Sequence, residues 1–160
     1  MKKNLHYQII GQTMDDAAGE AFDKVARIFG LGYPGGPAIA KKALENDPSH
    51  KSFGIKLPRP MINSNDFNFS FSGLKTAVFY ATKNDSRLIK NKHFIAEMSR
   101  EFQQAAIDVL VKKTIAAAKK YRPKTVMIAG GVSANDELRR QMESAAKKEL
   151  PGTAYQIPDL

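Results

Sequence analysis

The chain has 160 residues, enough for one domain with a real core, and a hydrophobic share of 42% excludes both a disordered polymer and a membrane-embedded protein. It has no cysteine, hence no disulfide framework or thiolate metal site, and no apolar run approaches the roughly 20 residues a spanning helix needs. Lys and Arg (25) outnumber Asp and Glu (16), and the resulting +9 steers polyanions such as RNA, although the lysines sit in scattered pairs and form no dense arm.

Residues 1–3 are followed by no apolar h-region, so no secretory leader is expected and the cytoplasm is the default location. Tyr7-Gln-Ile-Ile10 predicts a short strand ending at Gly11. A helix is expected from Asp15 or Asp16 to about Phe29, with Gly30 just beyond it, where left-handed backbone is favoured. Its apolar residues Ala18, Phe22, Val25 and Phe29 follow at intervals of 4, 3 and 4. The opposite side carries Asp16, Glu20 and Asp23, closed by Arg27. Such a row is usually a solvated face favoured by the helix dipole; it would also supply acceptors for sugar hydroxyls. Gly19 inside this helix hints at close approach by another group, because Gly there costs about 1 kcal/mol relative to Ala.

Gly32-Tyr-Pro-Gly-Gly-Pro37 is a turn-dense loop opening a short helix over residues 38–44, and its bare glycine backbone suits a flat or phosphorylated ligand. Residues 46–65 hold Pro48, Pro58 and Pro60 and read as irregular, with Arg59 stiffened between two prolines. Phe67-Asn-Phe-Ser-Phe71 alternates aromatic and polar residues like a half-buried strand. Ser72-Gly-Leu-Lys-Thr76 leads into a helix of two to three turns whose start could hold an anion with Lys75, or leave Lys75 as a surface residue. Residues 92–120 form one long helical pattern with a buried seam of Ile95, Met98, Phe102, Ala105, Ala106, Val109, Ala116 and Ala117. Tyr121-Arg-Pro123 stops it.

An apolar run over residues 125–129 then meets Gly130 and Gly131, with Ser133 as the expected N-cap of a helix over residues 134–150. Strand, glycine turn and helix let a backbone approach a ligand closely, and a plain connection has the same pattern. Pro151-Gly152 breaks the helix and Ala154-Tyr-Gln-Ile157 predicts a last strand. Alternating strands and helices argue an α/β fold with a small mixed sheet covered by helices, a single domain over residues 1–160. Ligands in such sheets bind beyond the carboxyl ends of strands, so a chain stopping at residues 158–160, straight after a strand, reads as cut.

Five motifs in order carry an identity that none carries alone: Gly11-Gln-Thr-Met-Asp-Asp-Ala-Ala-Gly-Glu-Ala-Phe-Asp-Lys24, Tyr33-Pro-Gly-Gly-Pro37, Pro58-Arg-Pro-Met61, Phe69-Ser-Phe-Ser-Gly-Leu-Lys-Thr76 and Ala129-Gly-Gly-Val-Ser-Ala-Asn135. Together they closely resemble the catalytic-subunit family of tRNA threonylcarbamoyladenosine synthase, once labelled O-sialoglycoprotein endopeptidase or glycoprotease. The resemblance implies a partial lobe of the actin, sugar-kinase and heat-shock-ATPase superfamily. It implies transfer of threonylcarbamoyl from threonylcarbamoyl-AMP to N6 of the adenosine following the anticodon of tRNA, in a complex with partner subunits. By the same resemblance Asp23, with Glu20 beside it, meets ribose hydroxyls. Gly36 lies against the nucleoside, and Asn135 with Gly130 and Gly131 flanks adenine and phosphate.

The departures are as specific. The family binds one divalent metal of the iron or zinc class through a His-x-x-x-His pair and a Thr-Asp-Asn motif, and neither stands in this sequence; His6, His50 and His93 are far apart. The expectation is a portion that retains part of the pocket for threonylcarbamoyl-AMP or ATP, holds no metal and is inactive alone. Other readings are a non-catalytic nucleotide-binding or partner-docking module, RNA contact without chemistry, a homodimer through exposed sheet edges and, lowest, the metalloprotease of the old label.

Overall fold

The computed structural model describes residues 6–83, 85 and 87–157; residues 1–3 and 158–160, discussed above, lie outside these. In chain order come α1 (Ala18–Ile28), α2 (Gly35–Leu44), α3 (Ser72–Lys83), α4 (Lys92–Tyr121), β1 (Thr125–Met127), α5 (Asp136–Glu149) and β2 (Ala154–Gln156). Strands β1 and β2 pair in parallel, with Val126 opposite Tyr155, and α5 provides the crossover. The α/β class holds, with the sheet reduced to these two parallel strands among the described residues.

Helix α4 is the axis. Its N-terminal half packs on α1, α2 and α3 through Phe94, Ile95, Met98, Phe102, Ala105 and Ala106, which meet Phe22, Val25, Ile39 and Leu74. Phe22 and Phe102 stand edge to face, ring centres 5.0 Å apart. Its C-terminal half turns other residues, Ile107, Ile115 and Ala118, toward α5 and the strands. The expected seam fails only at its end: Ala116 is exposed and Ala117 half-buried, while Ile115 and Ala118 are buried. The helix changes partners there, so the buried side rotates with the new neighbours. No helix among the described residues is long and apolar enough to cross a membrane.

Local signals set the helix ends. Gly30 (φ 65°) follows α1, with Leu31 N–H donating to Ala26 O at 2.9 Å and Gly30 N–H to Arg27 O at 3.2 Å, a paired closure that suits glycine. Asn91 caps α4 by accepting from His93 and Phe94 N–H. The expected Ser133 cap is corrected: residues Gly131–Ala134 form a 3-10 turn, Ser133 is buried within it, and Asn135 caps α5.

Two expected strands also do not form. Residues 7–10 run extended and exposed without a ladder partner, and residues 67–71 contribute a single parallel bridge between Thr13 and Phe69. Side chains take the positions that ladder bonds would fill. Asn68 Oδ1 accepts from Gln12 N–H (3.0 Å), and the Asp15 carboxylate accepts from Phe71 and Ser72 N–H (2.8 and 3.1 Å). Gly11 is where the backbones cross, since a Cβ there would fall 2.2 Å from Phe67 O.

The irregular stretch between α2 and α3 is held by charge on α4. Buried Glu97 accepts from Ser52 Oγ and from Phe53 and Ile55 N–H. Arg59 donates to Glu101 and to Asp108, and Glu101 also accepts Leu57 N–H. Lys113, 3% exposed, donates to Ser64 Oγ and to the carbonyl and carboxylate of Asp66. Burial would raise the Glu97 pKa, but the N–H and hydroxyl donors reverse this and hold it below its ordinary value. Ser64 and Lys113 pull Asp66 down to about 2.

Depressed carboxyl pKa values stabilise the fold above the unfolded values of 4.5 and 3.8, and that stability is lost as pH falls through the folded values. Unfolding midpoints in urea should therefore fall with acidification below about pH 4.5, and Glu97→Gln should flatten that limb while costing about 1–3 kcal/mol at neutral pH. Phe102→Ala, in the middle of the core, should cost about 3–5 kcal/mol in the same measurement.

Candidate functional site

The acidic row on α1 is not simply solvated. Lys24 bridges Asp16 (2.6 Å) and Glu20 (2.8 Å), and Glu20 also accepts Ala17 N–H at 3.4 Å. Lys24 first and then Ala17 hold the Glu20 carboxyl below its ordinary value. Asp16 keeps its second oxygen buried without a partner. Asp23 reaches across to α2, where its Oδ1 accepts Gly35 N–H at 2.7 Å.

That contact identifies the glycine doing the close packing. A Cβ on Gly35 would fall 2.5 Å from Asp23 Cα, whereas one on Gly36 would meet nothing within 4 Å. Gly36, which the family resemblance assigns to the nucleoside, lies in the open first turn of α2. Gly35 is the residue that lets α2 seat on α1, a requirement no local pattern distinguishes.

The second part of the site is the turn after β1. Gly130 has φ 86°, a left-handed conformation that favours glycine. Gly131 is exposed, and the N–H groups of Gly131 and Val132 find no acceptor among the described residues. Asn135 is engaged at both side-chain atoms: Oδ1 accepts Leu138 N–H at 2.9 Å and Nδ2 donates to Gln103 Oε1 of α4 at 2.8 Å.

Gly19 connects the two parts. A Cβ there would make ordinary contact with Val132 Cγ2 at 3.5 Å, so α1 passes this turn at Gly19 without requiring a glycine. Asp23 lies one turn further along the same face of α1. The structure thus brings the α1 face toward the turn, while spending Asp23 and Asn135 on the ends of α2 and α5.

The start of α3 holds an anion, as one of the two sequence alternatives had it, but without Lys75. Its anion is the chain's own Asp15, which accepts Phe71 and Ser72 N–H and the Ser70 and Ser72 hydroxyls. Burial would raise the Asp15 pKa, but these donors outweigh it and hold the carboxyl far below its usual range. Lys75 faces instead a groove between α1 and α3.

The motif order and the glycine-bounded face agree with a match across almost the entire chain: the family model described as TsaD, tRNA N6-adenosine threonylcarbamoyltransferase, covers residues 1–159. The chain belongs to this family. The tRNA N6-adenosine threonylcarbamoyltransferase of Burkholderia cenocepacia (strain HI2424) is 48% identical over 160 residues, covering 96% of this chain and 44% of that protein. That of Syntrophomonas wolfei subsp. wolfei is 50% identical over 141 residues, covering 88% of this chain and 40% of its own length. The chain therefore spans less than half the length of these curated relatives.

The metal that family membership implies does not fit the described residues. No group of three His, Asp or Glu side chains converges among them, and His50 and His93 stack face to face, ring centres 4.0 Å apart. No chemical step is assigned to a metal on this chain.

The glycine pair separates by mutation. Gly35→Ala should cost about 3 kcal/mol of stability, read as a lower urea midpoint at unchanged m, because α2 must move off α1. Gly36→Ala should leave stability unchanged or raise it by up to about 1 kcal/mol.

Proposed function

We propose that this chain carries the nucleotide-holding part of an enzyme that transfers threonylcarbamoyl from threonylcarbamoyl-AMP to N6 of an adenosine in tRNA. The observation that supports this most is the contact of Gly19 with Val132, which sets the Asp23 face of α1 beside a turn with unpaired backbone N–H groups. Asp23 and Glu20 would accept ribose hydroxyls, and Gly36 leaves room for the nucleoside. Gly130, Gly131 and Asn135 would line the adenine and phosphate side, where N–H donors suit an anion. Because Asp23 and Asn135 also hold helix ends, their geometry is fixed before a ligand arrives. The acyl-transfer chemistry itself would belong to parts of the enzyme that supply the metal, with further subunits as partners. The setting would be the cytoplasm.

Gly36→Leu tests the pocket at a position where an added Cβ meets nothing within 4 Å. In AMP and ATP titrations by calorimetry it should weaken binding at least about fivefold with an unchanged melting curve; Asp23→Ala and Asn135→Ala should weaken both affinity and stability. Equal affinity in Gly36→Leu and the unaltered chain would refute the pocket. A threonylcarbamoyl-transfer assay with this chain alone should show no turnover above background.

A second reading, a docking module that pairs with more protein or with its own copy, is favoured by exposed apolar side chains on the ladder-free arm, Tyr7 (86%), Ile9 (79%) and Ile10 (41%). Light scattering at high concentration should then report a dimer or larger species, and a clean monomer counts against it.

A further inference from the structure

The face of α1 next to Asp23 carries a feature that the nucleotide pocket does not use. Lys24, Arg27 and Ile28 of α1 and Lys75, Thr76 and Phe79 of α3 line a groove of about 350 Å³. That volume lies within the roughly 300–1,000 Å³ of small-ligand sites. Its floor is apolar and aromatic, and none of its lining side chains is acidic. Lys24 is held by Asp16 and Glu20, but Arg27 and Lys75 have no carboxylate at ion-pair distance among the described residues.

Beyond the groove the aromatic surface continues. Phe79 (44% exposed) and Tyr80 (61% exposed) lie edge to face with centres 5.7 Å apart, and Lys83 Nζ stands 5.9 and 6.0 Å from their rings. Exposed rings interleaved with free cations form the surface on which unpaired bases stack while phosphates meet the charges. Duplex RNA offers phosphates but no free base faces, and a protein partner of this basic surface would need matching acids.

We propose that the groove between α1 and α3 binds a single-stranded segment of RNA, with a base stacked on Phe79 and adjoining phosphates on Arg27 and Lys75. Lys83 extends the phosphate track along α3. The choice of RNA as occupant rests on the tRNA-modifying reading above; the +9 charge and the free rings supply the complementarity. The site is distinct from the nucleotide pocket, because neither Gly36 nor the turn at residues 130–135 lines it.

The test is fluorescence anisotropy with an end-labelled single-stranded RNA of about 12 nucleotides, and a duplex of the same sequence, over a range of salt. The unaltered chain should bind the single strand more tightly than the duplex. Phe79→Leu should weaken it at least about fivefold. Arg27→Gln with Lys75→Gln should weaken it further and reduce the log–log salt slope by about 1.4, two phosphates' worth. The charge-matched pair Lys41→Gln with Lys148→Gln, on exposed positions elsewhere, should change affinity less than about twofold. Circular dichroism checks folding; if Phe79→Leu does not fold, the exposed charge pair decides.

The proposal is overturned if the single strand binds no more tightly than the about 100 µM of non-specific association, if the control pair weakens binding as much as the groove pair, or if duplex binds equally well. It is also overturned if groove variants alter self-association and leave RNA affinity untouched, which assigns the face to protein contact. AMP titration of the same variants keeps the two readings apart: unchanged nucleotide affinity with lost RNA affinity separates the sites. Absent nucleotide binding with the groove effects intact removes the pocket alone.

Discussion

Carboxylates and one buried lysine on a single long helix hold a segment that has no regular structure of its own. The thirty residues of α4 extend about 45 Å. Along that length Glu97, Glu101, Asp108 and Lys113 receive or donate the hydrogen bonds of residues 52–66. A loop of this length cannot satisfy its backbone by itself, and buried charges on α4 cannot stay unpaired, so each requires the other. With the loop fixed in this way, Leu57 joins the core beside Phe71 and Leu74, and α3 is positioned against α1.

The same logic governs the helix ends. Asp15 closes the start of α3 and Asp23 takes Gly35 N–H at the start of α2. Asn135 caps α5 and simultaneously ties it to Gln103 of α4. Polar side chains that a family resemblance assigns to ligand contact thus have structural partners of their own. These bonds fix Asp23 at the start of α2 and Asn135 at the start of α5. Substitution at Asp23 or Asn135 disturbs both roles together, whereas Gly36 touches nothing and isolates the pocket.

The two faces of α1 divide the surface by charge. Asp23 turns its carboxylate to the start of α2; toward α3 the helix presents Arg27 and Ile28 to a groove lined by Lys75 and Phe79. Lys24 lies between, neutralising Asp16 and Glu20.

By itself the sequence determined what depends on neighbours a few residues away: the helices, the Gly30 closure, most of the α4 seam, the glycine turn after β1 and, through ordered motifs, the family. Tertiary structure decided what depends on residues far apart. It chose Gly35 over Gly36 as the packing glycine, because only the approach of α2 to Asp23 Cα distinguishes them. It left residues 7–10 without a ladder partner and reduced residues 67–71 to a single bridge, where Asn68 takes the N–H of Gln12 and Asp15 that of Phe71. It moved the α5 cap from Ser133 to Asn135 by burying the serine in a tight turn, and it gave Arg59 its partners on α4. Periodicity and turn chemistry are written along the chain, whereas the pairing of a charge with a distant backbone group exists only once the helices have packed.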